Sequence, residues 1–263
     1  MSELTEACEE IALAIDFHIQ GCLRGVAPGS VAADADAVTT YYQAIGICEL
    51  LLDAEVDAFF HHLIRSAQAR RWLLDRSRAA PGHPESVIRA SNTSGLFGAI
   101  AAFQWPLARD VAARSPVTWL DEVEYEDDFC YSHFLHRYLL SAPEAELASI
   151  LTRFEAALEG QGSARLGLCR VLSSRDRAAG AAAFEALIEE QSAKIQKMQA
   201  TSIYATEGLF LPLSSIFIEG LAWLSLLDAT GIVLAGEYMY CPSLARKKGY
   251  APFEVSTFPA LPL

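Results

Sequence analysis

Positive charge is scarce in this chain. Lysine and arginine number 20 against 33 aspartates and glutamates, for a formal net charge of -13 and a pI near 4.9. A protein that grips nucleic acid needs a basic footprint to neutralise phosphates, so direct binding of DNA or RNA is not expected. Catalytic signatures are missing as well. No G-x-S-x-G elbow presents a serine, and no cysteine and histidine group as a dyad. No HExxH and no paired Glu-x-x-His is found, so neither a metal nor a cofactor is expected. Gly160-Gln161-Gly162-Ser163 has the glycines of a phosphate loop but neither its preceding strand nor its lysine, and reads as a turn between helices. The six cysteines, at 8, 22, 48, 130, 169 and 241, form no CxxC pair. Most lie in apolar helical patterns, which points to buried free thiols in a reducing compartment. Met1 to Glu10 carries no basic n-region, so a secretory signal is not expected and the cytoplasm is the expected location. The longest apolar stretch, Gly208 to Gly236, is interrupted by Pro212, Glu219 and Asp228, and reads as a buried helix rather than a membrane span.

Apolar residues make up 52% of the 263, enough for one large core, and strand signals are nearly absent. Leu4, Cys8, Ile11, Ile15 and Ile19 keep helical spacing. Gly21, Gly25, Pro28 and Gly29 then predict a break, with a helix resuming over Asp36 to Leu52. A further stripe runs from Val56 to Leu73, and Pro81-Gly82-His83-Pro84 is a breaker. Val87 to Val111 reads as helix, kinked or split near Trp105 by Pro106. Ser141-Ala-Pro-Glu144 predicts a capping box. Ala164 to Leu172 and Ala178 to Ile195 predict an αα-hairpin across Ser173 to Asp176. Pro212 is expected to begin a helix closed by Gly231, and the tail beyond Pro242 to be extended. The reading is all-α: a single multi-helix domain over 1–263, built from αα-hairpins, with no substantial sheet. Phe59, Leu63, Phe97, Leu135, Leu168, Phe184, Ile218, Leu221 and Leu224 are its expected core.

The most unusual stretch is Asp121-Glu122-Val123-Glu124-Tyr125-Glu126-Asp127-Asp128. It holds six carboxylates in eight residues and no lysine or arginine. Such a run is a solvated loop, a cation site, or a surface for a basic partner. Asp127 and Asp128 would sit at the positive end of the following helix dipole. Tyr125 and Tyr131 could anchor an interface in which the carboxylates steer. His133 and His136, spaced i,i+3 beside these acids, are the candidate metal ligands, but lack a recognised set. Arg70-Arg71-Trp72 and Arg246-Lys247-Lys248 read as solvated helix ends. Phe97, Phe103, Trp105 and Trp119 read as core aromatics.

Several segments occur in a familiar order: Ser91-Asn-Thr-Ser-Gly-Leu-Phe-Gly98, then Glu124-Tyr-Glu-Asp-Asp-Phe129 with Tyr131, then Arg175-Asp176 with Phe184. Ile218-Glu-Gly-Leu-Ala222 and Glu237-Tyr-Met-Tyr-Cys-Pro242 follow. Together they resemble immunity protein family 49 of bacterial polymorphic-toxin systems. The resemblance implies an all-α protein that neutralises a cognate toxin in the cytoplasm of the producing cell, with no catalytic residues to carry over. The residues agree with a basic-surfaced protein toxin, a nuclease in expected class, as partner, met by Asp121, Glu122, Glu124, Tyr125, Glu126, Asp127, Asp128 and Tyr131. Two other classes remain open. One is a helical ligand-binding or regulatory module with an apolar pocket; the other is a metal-dependent helical enzyme using His133 and His136.

Overall fold

The computed structural model describes residues 2–25, 27–79, 82, 84–201, 208–253 and 261. Three long helices open the chain: α1 (Glu3–Arg24), α2 (Pro28–Asp53) and α3 (Val56–Ala79). The Ser2 side chain caps α1 by accepting from the Thr5 amide, and Glu3 and Glu6 complement its dipole. Gly21 does not break α1, and Pro28 opens α2 instead of ending a segment. Proline fits the first helical turn because its missing N–H would have no partner there. Gly21 lies where the two helices crowd, since a Cβ there would come 2.2 Å from Asp34 Oδ2.

The short α4 (Glu85–Ile88) is followed by α5 (Ser94–Ala101) and α6 (Trp105–Arg114). The expected continuous helix is thus broken twice. The break near Trp105 was anticipated, and Pro106 lies in the first turn of α6. The other is matched by a tertiary contact. Arg70, fully buried, donates to the carbonyls of Val87 (2.7 Å), Ile88 (3.3 Å) and Arg89 (3.0 Å), and so satisfies carbonyls left open where α4 ends. Arg70 is not a solvated helix end. Burial pulls its guanidinium down to about 10, with Asp36 opposing. Pro81 and His83 of the expected breaker lie outside the described residues.

A loop leads to α7 (Glu126–Leu139), α8 (Glu144–Ala157), α9 (Ala164–Ser174) and α10 (Arg177–Thr201). The capping box at Ser141 does not form. Ser141 takes a left-handed φ of 57° and its amide closes the end of α7, so its side chain does not cap α8. The α9–α10 hairpin is present, with Asp176 accepting from the Ala178 and Ala179 amides to cap α10. Pro212 lies inside α11 (Phe210–Ser215), and α12 (Ile218–Ala229) begins after a break. There the Phe217 amide donates to the Tyr240 carbonyl, so the C-terminal segment takes the bond a continuous helix would use. Gly231 follows α12 with φ 88°, as expected of a C′ glycine. The tail is not wholly extended, since Ser243–Arg246 forms a 3-10 turn. Pro259 and Pro262 lie outside the described residues.

Among the described residues there is no strand, only an isolated bridge between Tyr238 and Cys241, so the fold is a single all-helical domain. All nine expected core residues are buried. The smaller core lies between α1, α2 and one side of α3; the larger joins α3 and α5 to α7–α10 and α12. α12 is apolar on nearly every face and buried accordingly. Small residues let α2, α3 and α5 approach: a Cβ on Gly98 would lie 2.9 Å from the Leu63 carbonyl oxygen. Five cysteines are buried, Cys8 is half-buried, and all six are free thiols.

Candidate functional site

The acidic run wraps around the N-terminus of α7. Its charges are compensated in part, because the fold brings cations from distant segments. Arg153 of α8 pairs with Glu126 at 2.7 Å, and Arg165 of α9 pairs with Asp128 at 3.0 Å. Glu124 spends its carboxylate on backbone, accepting from the Ser91 amide at 2.8 Å and the Leu120 amide at 3.4 Å. Its carbonyl accepts from the Trp119 indole at 3.0 Å. Three of the six acids are thus structural: Glu124 pins the loop to Ser91, and Glu126 and Asp128 join α7 to α8 and α9. Asp121, Glu122 and Asp127 form no ion pair among the described residues, and the first two are exposed.

The aromatics divide in the same way. Tyr125, at the N-cap position of α7, is 80% exposed. Tyr131 was an expected anchor, but it is 2% exposed and unavailable to a partner. It lies one helical turn or more inside α7, where the helix faces the core. Its hydroxyl donates to Glu219 Oε1 at 2.7 Å and accepts from the Trp223 indole at 2.7 Å. Arg165 donates to both Glu219 oxygens at 2.8 Å and lies over the Tyr131 ring at 4.7 Å. Burial pushes the Tyr131 phenol well up, and the Glu219 charge adds to this. Burial works against the Arg165 charge, but Glu219, Tyr131 and Asp128 outweigh it and the net shift is upward. Burial raises the Asp128 carboxyl, with Arg165 opposing and Asp127 and Glu219 adding.

Two hollows flank this helix end. The first, of about 440 Å³, is walled by Trp119 and Tyr125 and rimmed by Asp121, Glu122, Glu124 and Glu126. Trp119 was expected in the core, yet it forms this wall, half-buried, with the Arg153 guanidinium 5.5 Å from its ring. The second, of about 340 Å³, lies between α7, α8, α9 and α10, with Asp127, Glu190 and Lys194 among its walls and the Arg165–Glu219 pair at its base. The sequence offered little sign of Arg153, Arg165, Glu190 or Trp223 in this role. Glu219 alone was visible, as a carboxylate inside an apolar stretch.

His133 packs against the core and His136 lies within it. His133 stacks on Phe129 with ring centroids 5.1 Å apart, and His136 is buried, its imidazole pushed by desolvation down to about 3. Among the described residues no three His, Cys, Asp or Glu side chains converge on a point where a metal could sit. His62 is likewise buried, against Glu49 at 3.3 Å. Of the second basic patch, Arg246 pairs with Glu237 at 3.4 Å and Lys248 pairs with Asp228.

The motif segments meet in pairs: Ser91 with Glu124, Tyr131 with Glu219, and Phe184 with Tyr238 at 4.8 Å between rings. A Cβ on Gly220 would lie 2.7 Å from Cys241 Sγ. These residue pairs hold helices together. No protein-family model, curated protein or solved structure matches the chain.

Proposed function

We propose that this protein is an immunity-type inhibitor that binds a basic-surfaced protein toxin stoichiometrically and does no chemistry of its own. The observation that carries this reading is the hollow at the start of α7. Tyr125 stands 80% exposed beside the half-buried Trp119, between the exposed carboxylates of Asp121 and Glu122. Aromatics of this kind supply contact area at low entropic cost, while unpaired acids attract a cationic surface from a distance. A toxin that cleaves nucleic acid carries a basic cleft because it must hold phosphate, and an acidic inhibitor that covers or borders such a cleft gains a fast on-rate. The net charge of -13 acts in the same direction. Such an inhibitor would work in the cytoplasm of the cell that makes the toxin.

The test is to sequence the neighbouring reading frames and to co-express any toxin-like domain found there. A one-to-one complex and protection from growth arrest are expected. Tyr125→Ala is expected to raise the dissociation rate by about tenfold, the scale of one lost aromatic anchor. Absence of a complex with that toxin defeats the reading. A complex indifferent to Tyr125 and to reversal of Asp121 and Glu122 moves the interface elsewhere.

A further inference from the structure

Helix α1 buries one face and leaves the opposite one open. Ala7, Ile11, Ile15, Ile19 and Cys22 face the smaller core. On the outside, Leu13 is 74% exposed and Phe17, one helical turn further on, is 71% exposed, with Leu23 half-exposed beyond them. Large apolar side chains grouped on a solvated face mark a contact surface, where a single one marks nothing. The outer stripe runs Glu6, Glu10, Leu13, Phe17, Gln20, Arg24. Its steps of four and three alternate, which is the spacing of a seam between two paired helices. The stripe also has a two-fold order. Turned end for end about Ile15, Leu13 falls on Phe17, Glu10 on Gln20 and Glu6 on Arg24. Glu6, Glu10 and Arg24 are exposed. The one ion pair of α1 among the described residues joins His18 to Asp34 of α2 at 2.8 Å, on the side facing α2, and leaves these outer charges out.

We infer that the outer face of α1 binds a second copy of this chain, α1 against α1 in antiparallel order. A two-fold interface must be self-complementary: where residue i meets residue j, j meets i. The stripe satisfies that condition. Leu13 packs on Phe17 of the second copy, the Gln20 amide donates to Glu10, and Arg24 pairs with Glu6, and each contact occurs twice. A parallel pairing would set Glu6 on Glu6, Glu10 on Glu10 and Arg24 on Arg24, so charge selects the antiparallel order. From Glu6 to Arg24 the seam is about 27 Å long at 1.5 Å per residue, and one helix wide. That is smaller than a standard stable interface. Asp16, beside the seam, approaches its own copy near the axis, and each chain carries a net charge of -13. The dimer is therefore weak, with a dissociation constant on the order of 100 μM. The inference does not depend on the function proposed above, since Tyr125 and the acids around it take no part in the seam.

The test is sedimentation velocity of the purified full-length chain from about 10 μM to about 1 mM, a range that brackets this affinity. Monomer is expected at the low end and mostly dimer at the high end. Phe17→Glu is expected to stay monomeric throughout, with an unchanged circular dichroism spectrum because the side chain it alters is exposed. Glu6→Arg and Arg24→Glu each set like charges opposite one another twice, and each is expected to weaken the dimer about three- to tenfold. The double variant Glu6→Arg with Arg24→Glu restores both pairs in the reverse sense and is expected to recover the dimer. Circular dichroism of each variant checks that the helices are intact. A monomer at every concentration, a dimer that survives Phe17→Glu, or a double variant no better than the single ones overturns the inference. If Phe17→Glu weakens a toxin complex while the chain alone stays monomeric, the face belongs to the toxin; the inference then fails and the immunity reading stands. The sedimentation experiment needs no toxin, so it can succeed where that reading fails.

Discussion

The hydroxyl of Tyr131 lies 2.7 Å from Glu219 Oε1 and joins α7 to the first turn of α12, 88 residues away. The same hydroxyl accepts from Trp223, so one buried atom satisfies two partners. Tyr131→Phe keeps the ring but leaves the indole N–H of Trp223 without its acceptor. Loss of about 1–3 kcal/mol in urea-unfolding free energy is expected, the cost of a buried polar group left unmade. A change within error would mean that water replaces the hydroxyl.

Charge reversals within the acidic run should sort into two kinds. Asp121→Lys with Glu122→Lys touches exposed groups with no ion-pair partner and removes only an exposed bond from the Glu122 amide to Asp121, so the melting temperature should hold within a few degrees while association with a basic partner slows. Raised salt should reproduce the slowing, because the screening length falls to about 3 Å at 1 M. Glu124→Lys should behave differently, because it removes the acceptor for the Ser91 and Leu120 amides. Destabilisation by about 1–3 kcal/mol is expected there, read by thermal unfolding.

Acid should weaken the fold through His136. Burial holds this imidazole neutral down to about 3, with the charges of His133 and Arg70 acting in the same direction. In the unfolded chain it protonates near 6.5. Above that pH both states are neutral and the group contributes nothing to the pH dependence. Below it the unfolded state binds a proton that the native state does not, so stability falls as pH drops from about 6.5 towards 3. The slope is about 1.4 kcal/mol per pH unit for one such group. His62 and His133, also lowered by burial, add to it. Urea titrations at pH 7, 6, 5 and 4 should show this limb, and His136→Phe should flatten it by up to one proton's worth.

Packing around α12 and α5 makes two further variants informative. Leu221 is 1% exposed, and Leu221→Ala should cost about 2–5 kcal/mol. Gly95→Ala places a Cβ 2.4 Å from the Arg70 Cβ and 3.2 Å from the Ser66 carbonyl oxygen. Helix α5 must then move away from α3, and a loss of about 1–3 kcal/mol is expected by chemical denaturation. Wild-type stability in Gly95→Ala would show that the two helices are not tightly seated.

Much of the architecture could be read from local patterns. Helical apolar spacing marked α1 and α3, a long apolar stretch closed by Gly231 marked α12, and Asp176 in a polar turn marked the α9–α10 hairpin. The chief misreading has its cause in a side chain spent on a distant partner; at Ser141 the cause is a local backbone turn. Arg70 looked like a surface charge until the carbonyls of 87–89 arrived to occupy it. Ser141 looked like a cap for α8 but closes α7.

The candidate site was only half legible for the same reason. Composition and apolar periodicity, both local, sufficed for an acidic all-helical chain with a carboxylate-rich entry to α7. Which acids remain free is not a local property. Arg153 and Arg165 neutralise Glu126 and Asp128 only because α8 and α9 pack beside α7, and Glu124 is consumed by an amide 33 residues earlier in the chain. Burial likewise separates Tyr125 from Tyr131, six residues apart: one faces water and the other the core, where its hydroxyl reaches Glu219 of α12. Coulomb and hydrogen-bond energies fall off over a few ångströms, so the partners that decide a charge's role are those the fold brings near, whatever their distance along the chain.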